Sequence, residues 1–271
     1  MNRMSWFNTV SLTLGFAFLY IPMVILIVYS FNESKLVTVW GGFSPKWYGE
    51  LLKNEAFLTA AWVTFKVAVA SSTLATVLGT MAAYVLVRGG RFFGRTLFSG
   101  MIYAPLVMPE VITGLSLLLL FIGIGLDRGV LTIVLAHTTF SMCFVSVVVS
   151  SRLVTFDRSL EEAALDLGCT GSEAFRLVTL PIIAPAVISG WLLAFTLSLD
   201  DLVIASFTSG PAATTLPIKI FSAVRLGVSP EINALSTIMI AIVAVGVSIA
   251  SLVTKYQMTR QMKEEQEAER N

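Results

Sequence analysis

The stretch EEAALDLGCTGSEAFRLVTLP, residues 161–181, is a polar segment with two turn signals, and it lies between two long apolar runs. The chain around it is 56% hydrophobic and only 13% charged, whereas a soluble domain has roughly 25% charged residues. In water, such a composition would leave large apolar patches exposed. The 271 residues therefore predict an all-α integral membrane protein, a single transmembrane domain with a polar segment between two of its spans.

Local signals in this segment predict two short helices. A capping box starts the first, with Ser159 capping a backbone N–H and Glu162 reaching back. Gly168 ends this helix, as glycine commonly does just past a helix C-terminus. The second helix is expected to begin at Thr170 or Ser172. One apolar stripe at i, i+3, i+4 and i+7 marks the first helix, formed by Leu160, Ala163, Ala164 and Leu167.

The stripe allows two interpretations. A face rich in alanine lets another surface approach closely, which suits a docking element better than a catalytic one. The alternative is a membrane-surface helix that packs only on its own chain. The pattern by itself leaves both open.

Six apolar segments reach the roughly 20 residues that a spanning helix needs. The first is too long for the apolar region of a signal peptide and has no small-residue cleavage site after it, so we expect it to remain as a span. The uncharged stretch 202–218 contains TSGPAATTLP and is expected to be a loop. The predicted spans are 10–31, 67–87 with a start near Leu58, 96–126, 129–151, 182 to about 207, and 232–254.

The distribution of basic residues predicts the orientation. Six spans put both termini on one side, and that side holds eleven lysines and arginines against six on the other; Lys66, taken to lie near a helix end, is left out. The positive-inside rule then places both termini and residues 161–181 in the cytoplasm. The tail 255–271 is expected to be a solvated helix extension. On the outer side, Trp40, Trp47 and Tyr48 are expected to be interfacial anchors.

Three carboxylates fall within the predicted spans. Asp200 and Asp201 lie in the second half of the fifth span, and Glu110 follows Pro109 in YAPLVMPEVITG. A charge at the bilayer centre costs roughly 2.5–3.5 kcal/mol on insertion scales, so such residues are candidates for a transport pathway. The alternative is that they hold helices together through Ser, Thr or Lys partners. The prolines near Glu110 predict an irregular helix that lines a cavity.

The spacing of residues in this segment resembles the EAA loop of inner-membrane permease subunits of bacterial ABC importers. The pattern is E-A-A, three residues, G, nine residues, an aliphatic residue, one residue, and L-P. Val178 stands where isoleucine is commoner, and Phe175 matches a frequent aromatic position of that family. The resemblance implies a type I importer fold (MetI-like) of six transmembrane helices, with this segment as a coupling helix on a cytoplasmic ATPase subunit. The coupling residues it implies are Glu162, Ala163, Ala164, Gly168, Phe175, Val178, Leu180 and Pro181.

Residues 195–240, with their DD, TSGP, LPIKI and GVSPEINAL segments, are similar to the polyamine branch of the same family, in particular to the second permease subunit of putrescine or spermidine importers. This resemblance implies transport of a polyamine, above all putrescine, across the bacterial inner membrane by alternating access. It also implies four partner chains: a homologous second permease subunit, two copies of an ATPase that carries ATP and Mg²⁺, and a periplasmic polyamine-binding protein.

A polyamine is an aliphatic chain with ammonium ends, so its passage requires carboxylates and aromatic faces that bind it weakly enough to release it. Ordinary helix packing is the alternative for the aromatic residues. The candidate pathway residues are Asp201, Asp200, Glu110, Trp191 and Phe195.

Other classes of protein fit less well. The sequence has no G-x-x-x-x-G-K-[ST] motif, no metal-ligand spacing and no nucleophile–base pattern, so we expect no enzyme and no cofactor bound by this chain. Cys143 and Cys169 are expected to be free thiols, and His137 to make a structural hydrogen bond. The nearest alternative is the same fold with sulfate, iron(III) or amino-acid cargo. Another is an ion-driven secondary transporter, but such a protein would need no docking loop, and the sequence shows no inverted repeat. A third is a structural membrane scaffold.

Overall fold

The structure is a computed structural model that describes residues 5–36, 39–227, 229–242 and 244–245. Its described residues are mainly helical, with one isolated antiparallel bridge between Asn32 and Phe43. They form two compact units, one from the described parts of 1–55 and 223–271 and the other from 56–222. The single permease domain predicted from sequence stays a prediction.

Twelve α-helices, numbered in chain order, are found in the described residues, and a π-helical turn, Phe175–Thr179, joins α8 to α9. The helices are α1 Trp6–Ser30, α2 Lys46–Lys53, α3 Glu55–Arg88, α4 Arg95–Val107, α5 Glu110–Gly123, α6 Val130–Thr155, α7 Ser159–Asp166, α8 Gly171–Ala174, α9 Leu180–Asp200, α10 Val203–Thr208, α11 Leu216–Leu226 and α12 Pro230–Ile242.

Long apolar helices occupy most of the predicted spans. In the described part of the chain, four helical segments are long and apolar enough to cross a membrane, or five if the bent pair α4 and α5 is one span. Helix α12 begins the sixth predicted span, 232–254, whose later residues lie outside the described ranges, as does the tail 255–271.

The third predicted span is broken. The chain bends by 118° between helices α4 and α5, because the backbone of Met108 is extended and Pro109 precedes the first turn of α5. The irregular helix predicted around Glu110 is therefore present. The predicted end of the fifth span near residue 207 is wrong. Helix α9 ends at Asp200, the backbone of Asp201 is extended, and the short helix α10 follows.

Small side chains allow close helix crossings in the unit 56–222. Helix α6 contacts α4, α5, α9 and α10. Gly79 of α3 lies so close to α6 that an added Cβ would be 2.7 Å from the Met142 carbonyl oxygen. Lipid tails are as apolar as the side chains, so membrane helices associate through this kind of close packing. Other buried small residues on α3 include Ser71, Ser72, Ala75, Thr76, Thr80, Ala82 and Ala83.

The prediction that Lys66 lies near a helix end is wrong. It lies well inside α3, the helix that runs from Glu55 to Arg88. The uncharged run begins only at Val67, but the helix starts at Glu55, three positions before the start predicted near Leu58, so the lysine falls within its length.

Asn32 organises the turn after α1 in the unit that holds the chain ends. Its amide accepts the Gly41 N–H at 2.8 Å and donates to the Val39 carbonyl at 2.8 Å. The Trp47 indole donates to the Asn32 carbonyl at 2.7 Å, and the Tyr48 hydroxyl lies 2.7 Å from Ser30 Oγ. Trp47 is buried, so its expected role as an interfacial anchor is wrong. A buried indole N–H needs a partner, and a backbone carbonyl supplies it.

We expect Gly79→Ala to lower the midpoint of thermal unfolding of the detergent-solubilised protein, because the new methyl group must displace the Met142 carbonyl or Val145. Overpacking of this kind costs about 1–3 kcal/mol. The matched control is Gly100→Ala, since a Cβ there meets nothing within 4 Å. Helix propensity alone favours alanine at both positions, so equal midpoints for the two variants would contradict the prediction.

Candidate functional site

The polar segment 161–181, the predicted coupling loop, is fastened to α3 and α9 through the buried carboxylate of Glu161. Its Oε2 lies 3.1 Å from Nε of Arg88 at the end of α3, and the two side chains are only 10% and 12% exposed. Its Oε1 accepts a 2.7 Å hydrogen bond from the Thr179 hydroxyl, at the end of the π-helical turn that leads into α9. Helix α7 is thus tied to α3 and to the base of α9 at once.

Two aromatic contacts complete this attachment. The Arg88 guanidinium donates to the Phe156 carbonyl at 3.2 Å and lies 5.4 Å from the centre of the Phe156 ring. Phe175 packs edge-on against Tyr84 of α3, with ring centres 4.9 Å apart. Phe175, one of the predicted coupling residues, therefore contacts its own chain.

The predicted capping box at Ser159 and Glu162 is wrong. Ser159 is already the first helical residue, and no side chain of the preceding residue caps the helix. Instead the Asp157 carboxylate accepts the Ser159 N–H at 3.0 Å, and hydrogen bonds from Ser159 hold the pKa of Asp157 below its usual range. The side chain of Glu162 lies 3.1 Å from Arg158 Nε in an exposed pair.

Gly168 ends α7 as predicted. Its φ is +94°, and the Cys169 N–H and the Gly168 N–H return to the carbonyls of Ala164 and Leu165. These two bonds define a Schellman motif. The second predicted helix begins with a capping box, in which Thr170 and Glu173 cap each other's backbone N–H groups.

Helix α7 presents an apolar face to its surroundings. Of the predicted stripe only Ala164 is buried, and Leu167 is 87% exposed. Leu160 and Leu165 are also exposed on this helix. A recess of about 400 Å³ opens beside the loop, lined by Met81, Tyr84, Val85, Gly171, Ser172 and Phe175. Among the other predicted coupling residues, Ala163 and Pro181 are exposed, and Val178 and Leu180 are partly buried.

Asp201 lies in a buried polar cluster. Its Oδ1 accepts the Ala205 N–H at 2.7 Å, which caps α10, and lies 3.3 Å from His137 Nε2. His137 Nδ1 is 2.7 Å from Ser198 Oγ, which accepts a hydrogen bond from Ser71 at 3.1 Å. The cluster joins α3, α6 and the end of α9. His137 thus makes the kind of hydrogen bond that the sequence suggested, and the pathway role of Asp201 stays a prediction.

The two other carboxylates are exposed. Asp200 is the last residue of α9, and Glu110 is the first residue of α5, directly after the break at Pro109. Both therefore stand where a membrane helix is interrupted, which is tolerated only where the backbone is buried in protein or lines a water-filled cavity. Their pathway role stays a prediction.

Trp191 and Phe195 belong to a larger aromatic array than the sequence indicated. Their rings stack at 5.1 Å on α9, and Phe195 meets Phe65 of α3 edge-on at 6.3 Å. Phe65 in turn stacks on Trp62 at 5.9 Å. We call these four residues the aromatic ladder. Trp62 and Phe65 were not among the candidates from sequence, because their contact with the rings on α9 depends on how α3 and α9 pack.

No group of three or more potential metal ligands occurs among the described residues. The two cysteines are free, Cys143 buried and Cys169 partly buried.

Comparison with known proteins defines the class. The profile of the family described as "Binding-protein-dependent transport system inner membrane component" matches residues 75–263, so the chain belongs to this family of membrane transport components. It is 57% identical to the putrescine transport system permease protein PotI of Escherichia coli (strain K12), over 97% of this chain and 94% of that protein. It is 43% identical to the spermidine/putrescine transport system permease protein PotC of the same strain, over 90% and 92%.

Solved structures share the fold at low sequence identity. A bacterial ABC transporter involved in the import of the acidic polysaccharide alginate matches with a TM-score of 0.70 and 18% identity, covering 92% of this chain and 94% of that one. The MetNI methionine ABC transporter matches with a TM-score of 0.59 and 16% identity, covering 72% and 92%. The type I importer fold expected from the EAA loop is thus confirmed.

We expect Glu161→Ala to lower the midpoint of thermal unfolding strongly, because it leaves Arg88 buried without its carboxylate; removing one partner of a buried pair costs about 3–5 kcal/mol. Glu162→Ala is the matched control on the same helix, since its exposed pair with Arg158 is worth only about 0.3–0.5 kcal/mol. A larger loss in the control would show that the wrong glutamate has been placed inside.

Asp201→Ala should also destabilise the protein, by about 1–3 kcal/mol, because the Ala205 N–H loses its acceptor inside the bundle. Asp200→Ala, at the neighbouring exposed position, should leave the thermal midpoint nearly unchanged. The comparison is made by thermal unfolding in detergent. Equal effects of the two substitutions would contradict the structural role assigned to Asp201.

Proposed function

We propose that this chain is one of two permease subunits of an ATP-driven importer that moves putrescine into the bacterial cytoplasm by alternating access. The observation that carries the proposal is the 57% identity to a putrescine permease along almost the whole of both chains. The exposed apolar face of α7 on a rigidly attached loop supports the ATP-driven mechanism.

The proposed coupling starts at α7. A cytoplasmic ATPase subunit binds the exposed leucines of this helix, and closure of an ATPase dimer displaces it. Because Glu161 joins α7 to Arg88 and to Thr179, the displacement reaches α3 and α9 together. ATP and Mg²⁺ are held by the ATPase, and this chain contributes the helix α7, whose displacement moves α3 and α9.

The proposed assembly contains this subunit, a homologous second permease subunit, two ATPase copies and a periplasmic polyamine-binding protein. One solved relative is a bacterial alginate ABC transporter in complex with a substrate-bound periplasmic protein, with a TM-score of 0.68 to this chain, so docking of a binding protein is compatible with the fold. Both termini are proposed to be cytoplasmic, which puts the turn around Asn32 on the periplasmic side.

The proposed pathway combines exposed carboxylates with aromatic faces. Asp200 and Glu110 offer negative charge for ammonium ends, and Trp191 and Phe195 offer ring faces for cation–π contacts. Asp201 is included because it fixes the end of α9 beside Asp200. Cargo of another kind, such as sulfate or an amino acid, is the second candidate, since other importers of this fold carry methionine or alginate.

The test is uptake of labelled putrescine into proteoliposomes that hold the full complex, with the binding protein and ATP on the correct sides. We expect ATP-dependent uptake that unlabelled putrescine or spermidine blocks and that sulfate or amino acids leave unchanged. ATP hydrolysis stimulated by another cargo, without putrescine uptake, would retain the coupling mechanism and overturn the polyamine assignment.

Gly168→Ala should reduce co-purification of the ATPase and ATP-driven uptake together. A side chain at φ +94° costs about 1–2 kcal/mol and disturbs the turn that positions α7. Gly171→Ala is the control in the same loop, because its φ is not positive and a Cβ there meets open space. Normal ATPase binding and uptake by Gly168→Ala would show that this turn does not position the docking helix.

A further inference from the structure

Lys66 is a charged residue within α3, a helix long and apolar enough to cross a membrane. Helix α3 has 34 residues, about 51 Å at 1.5 Å per residue. Lys66 is exposed, and it lies eleven residues after the start of this helix. An ionisable residue within a membrane helix is a candidate for a substrate pathway.

The ammonium group of Lys66 rests against an aromatic ring. In the part of the chain that the structure describes, no carboxylate lies within ion-pair distance of it. Its Nζ instead lies 5.8 Å from the centre of the Trp62 ring, which is cation–π range. The side chain is an alkylammonium, the same chemical group that ends a polyamine.

Trp62, the residue whose ring Lys66 contacts, belongs to the aromatic ladder. Trp62 stacks on Phe65, Phe65 meets Phe195, and Phe195 stacks on Trp191, whose indole donates to Thr73 at 3.1 Å. Trp62 is 59% exposed and Phe65 is 48% exposed, so their faces are accessible from outside this chain. Two helices therefore present one continuous row of rings, with a tethered ammonium at one end.

We propose that Lys66 is a tethered competitor of the transported diammonium substrate, and that Trp62 and Phe65 extend the pathway from α9 onto α3. Without substrate, the Lys66 ammonium covers the Trp62 ring. An arriving substrate ammonium displaces it, and Lys66 later returns to the ring and helps release the substrate. The inference rests on the proposed function and deepens it, because it adds three residues to the pathway and assigns a role to each.

The physical reason is that transport requires binding that is favourable enough for entry and weak enough for exit. Carboxylates and ring faces both attract a dication. A fixed positive charge that competes for the same ring lowers the residence time without removing the site.

The experiment uses the reconstituted complex with its binding protein. Two quantities are measured: uptake turnover of labelled putrescine, and labelled putrescine retained by the complex when vanadate arrests it after ATP hydrolysis. For Lys66→Met, we expect turnover to fall about two- to fivefold and retained putrescine to rise by a similar factor, the size of one cation–π contact. Lys66→Arg keeps the cation and should behave as the unmodified protein does.

Lys219→Met is the matched control, because Lys219 lies 6.0 Å from the Phe57 ring in the same unit and does not touch the ladder. It should leave turnover and retention unchanged. The inference is overturned if Lys66→Met changes neither quantity or lowers both, as loss of a lipid-facing anchor or of a partner-subunit contact would. If the unmodified complex takes up no putrescine, the proposed function itself fails.

A second variant covers the case in which Lys66→Met does not assemble. Lys66→Cys is prepared with Cys169→Ser, leaving only the buried Cys143. Aminoethyl methanethiosulfonate restores an ammonium at position 66, whereas the propyl reagent adds a neutral chain. We expect only the amine reagent to restore turnover, and putrescine to slow the modification. Equal rescue by both reagents, or modification that putrescine leaves unchanged, overturns the inference.

Discussion

The buried Glu161 carboxylate is the interaction on which the cytoplasmic side of this protein depends. A carboxylate in such a place needs a counter-charge and a hydrogen-bond donor, and Arg88 and Thr179 supply them from two different segments. Three parts of the chain are thereby fixed to one another: the end of α3, the helix α7 and the turn that starts α9. Because α7 is held on its inner side by this contact, its leucines are left on the outer side. In the proposed mechanism, the same contact that stabilises the loop also transmits its displacement to α3 and α9.

Polar groups inside the bundle determine where the membrane helices end. Helix α9 does not run on through its apolar residues, because Asp201 turns from the helix, caps α10 and lies beside His137. The break between α4 and α5 has a different cause, since Pro109 cannot donate within a helix. Both breaks leave an exposed carboxylate at a helix end, Asp200 in one case and Glu110 in the other.

The aromatic ladder connects these observations with the cargo. Ring faces attract ammonium groups without binding them tightly, and the ladder lies on α3 and α9, the two helices that Glu161 joins to α7. In the proposed mechanism, a movement of α7 therefore acts on the same helices that carry the rings.

The sequence by itself determined the features that depend on local chemistry. Composition required a membrane protein, the spacing of the EAA segment identified the docking loop, and Gly168, Thr170 and Pro109 placed a helix end, a helix start and a break where the structure has them. Only the tertiary structure decided which of two adjacent glutamates faces inward and that Asp157 replaces Ser159 as the cap. It also decided that Trp47 is buried and that the Lys66 ammonium lies beside the Trp62 ring. Each of these depends on a partner distant in sequence or on where a helix begins. Glu161 and Glu162 are chemically identical, and only the position of Arg88, 73 residues earlier, distinguishes them.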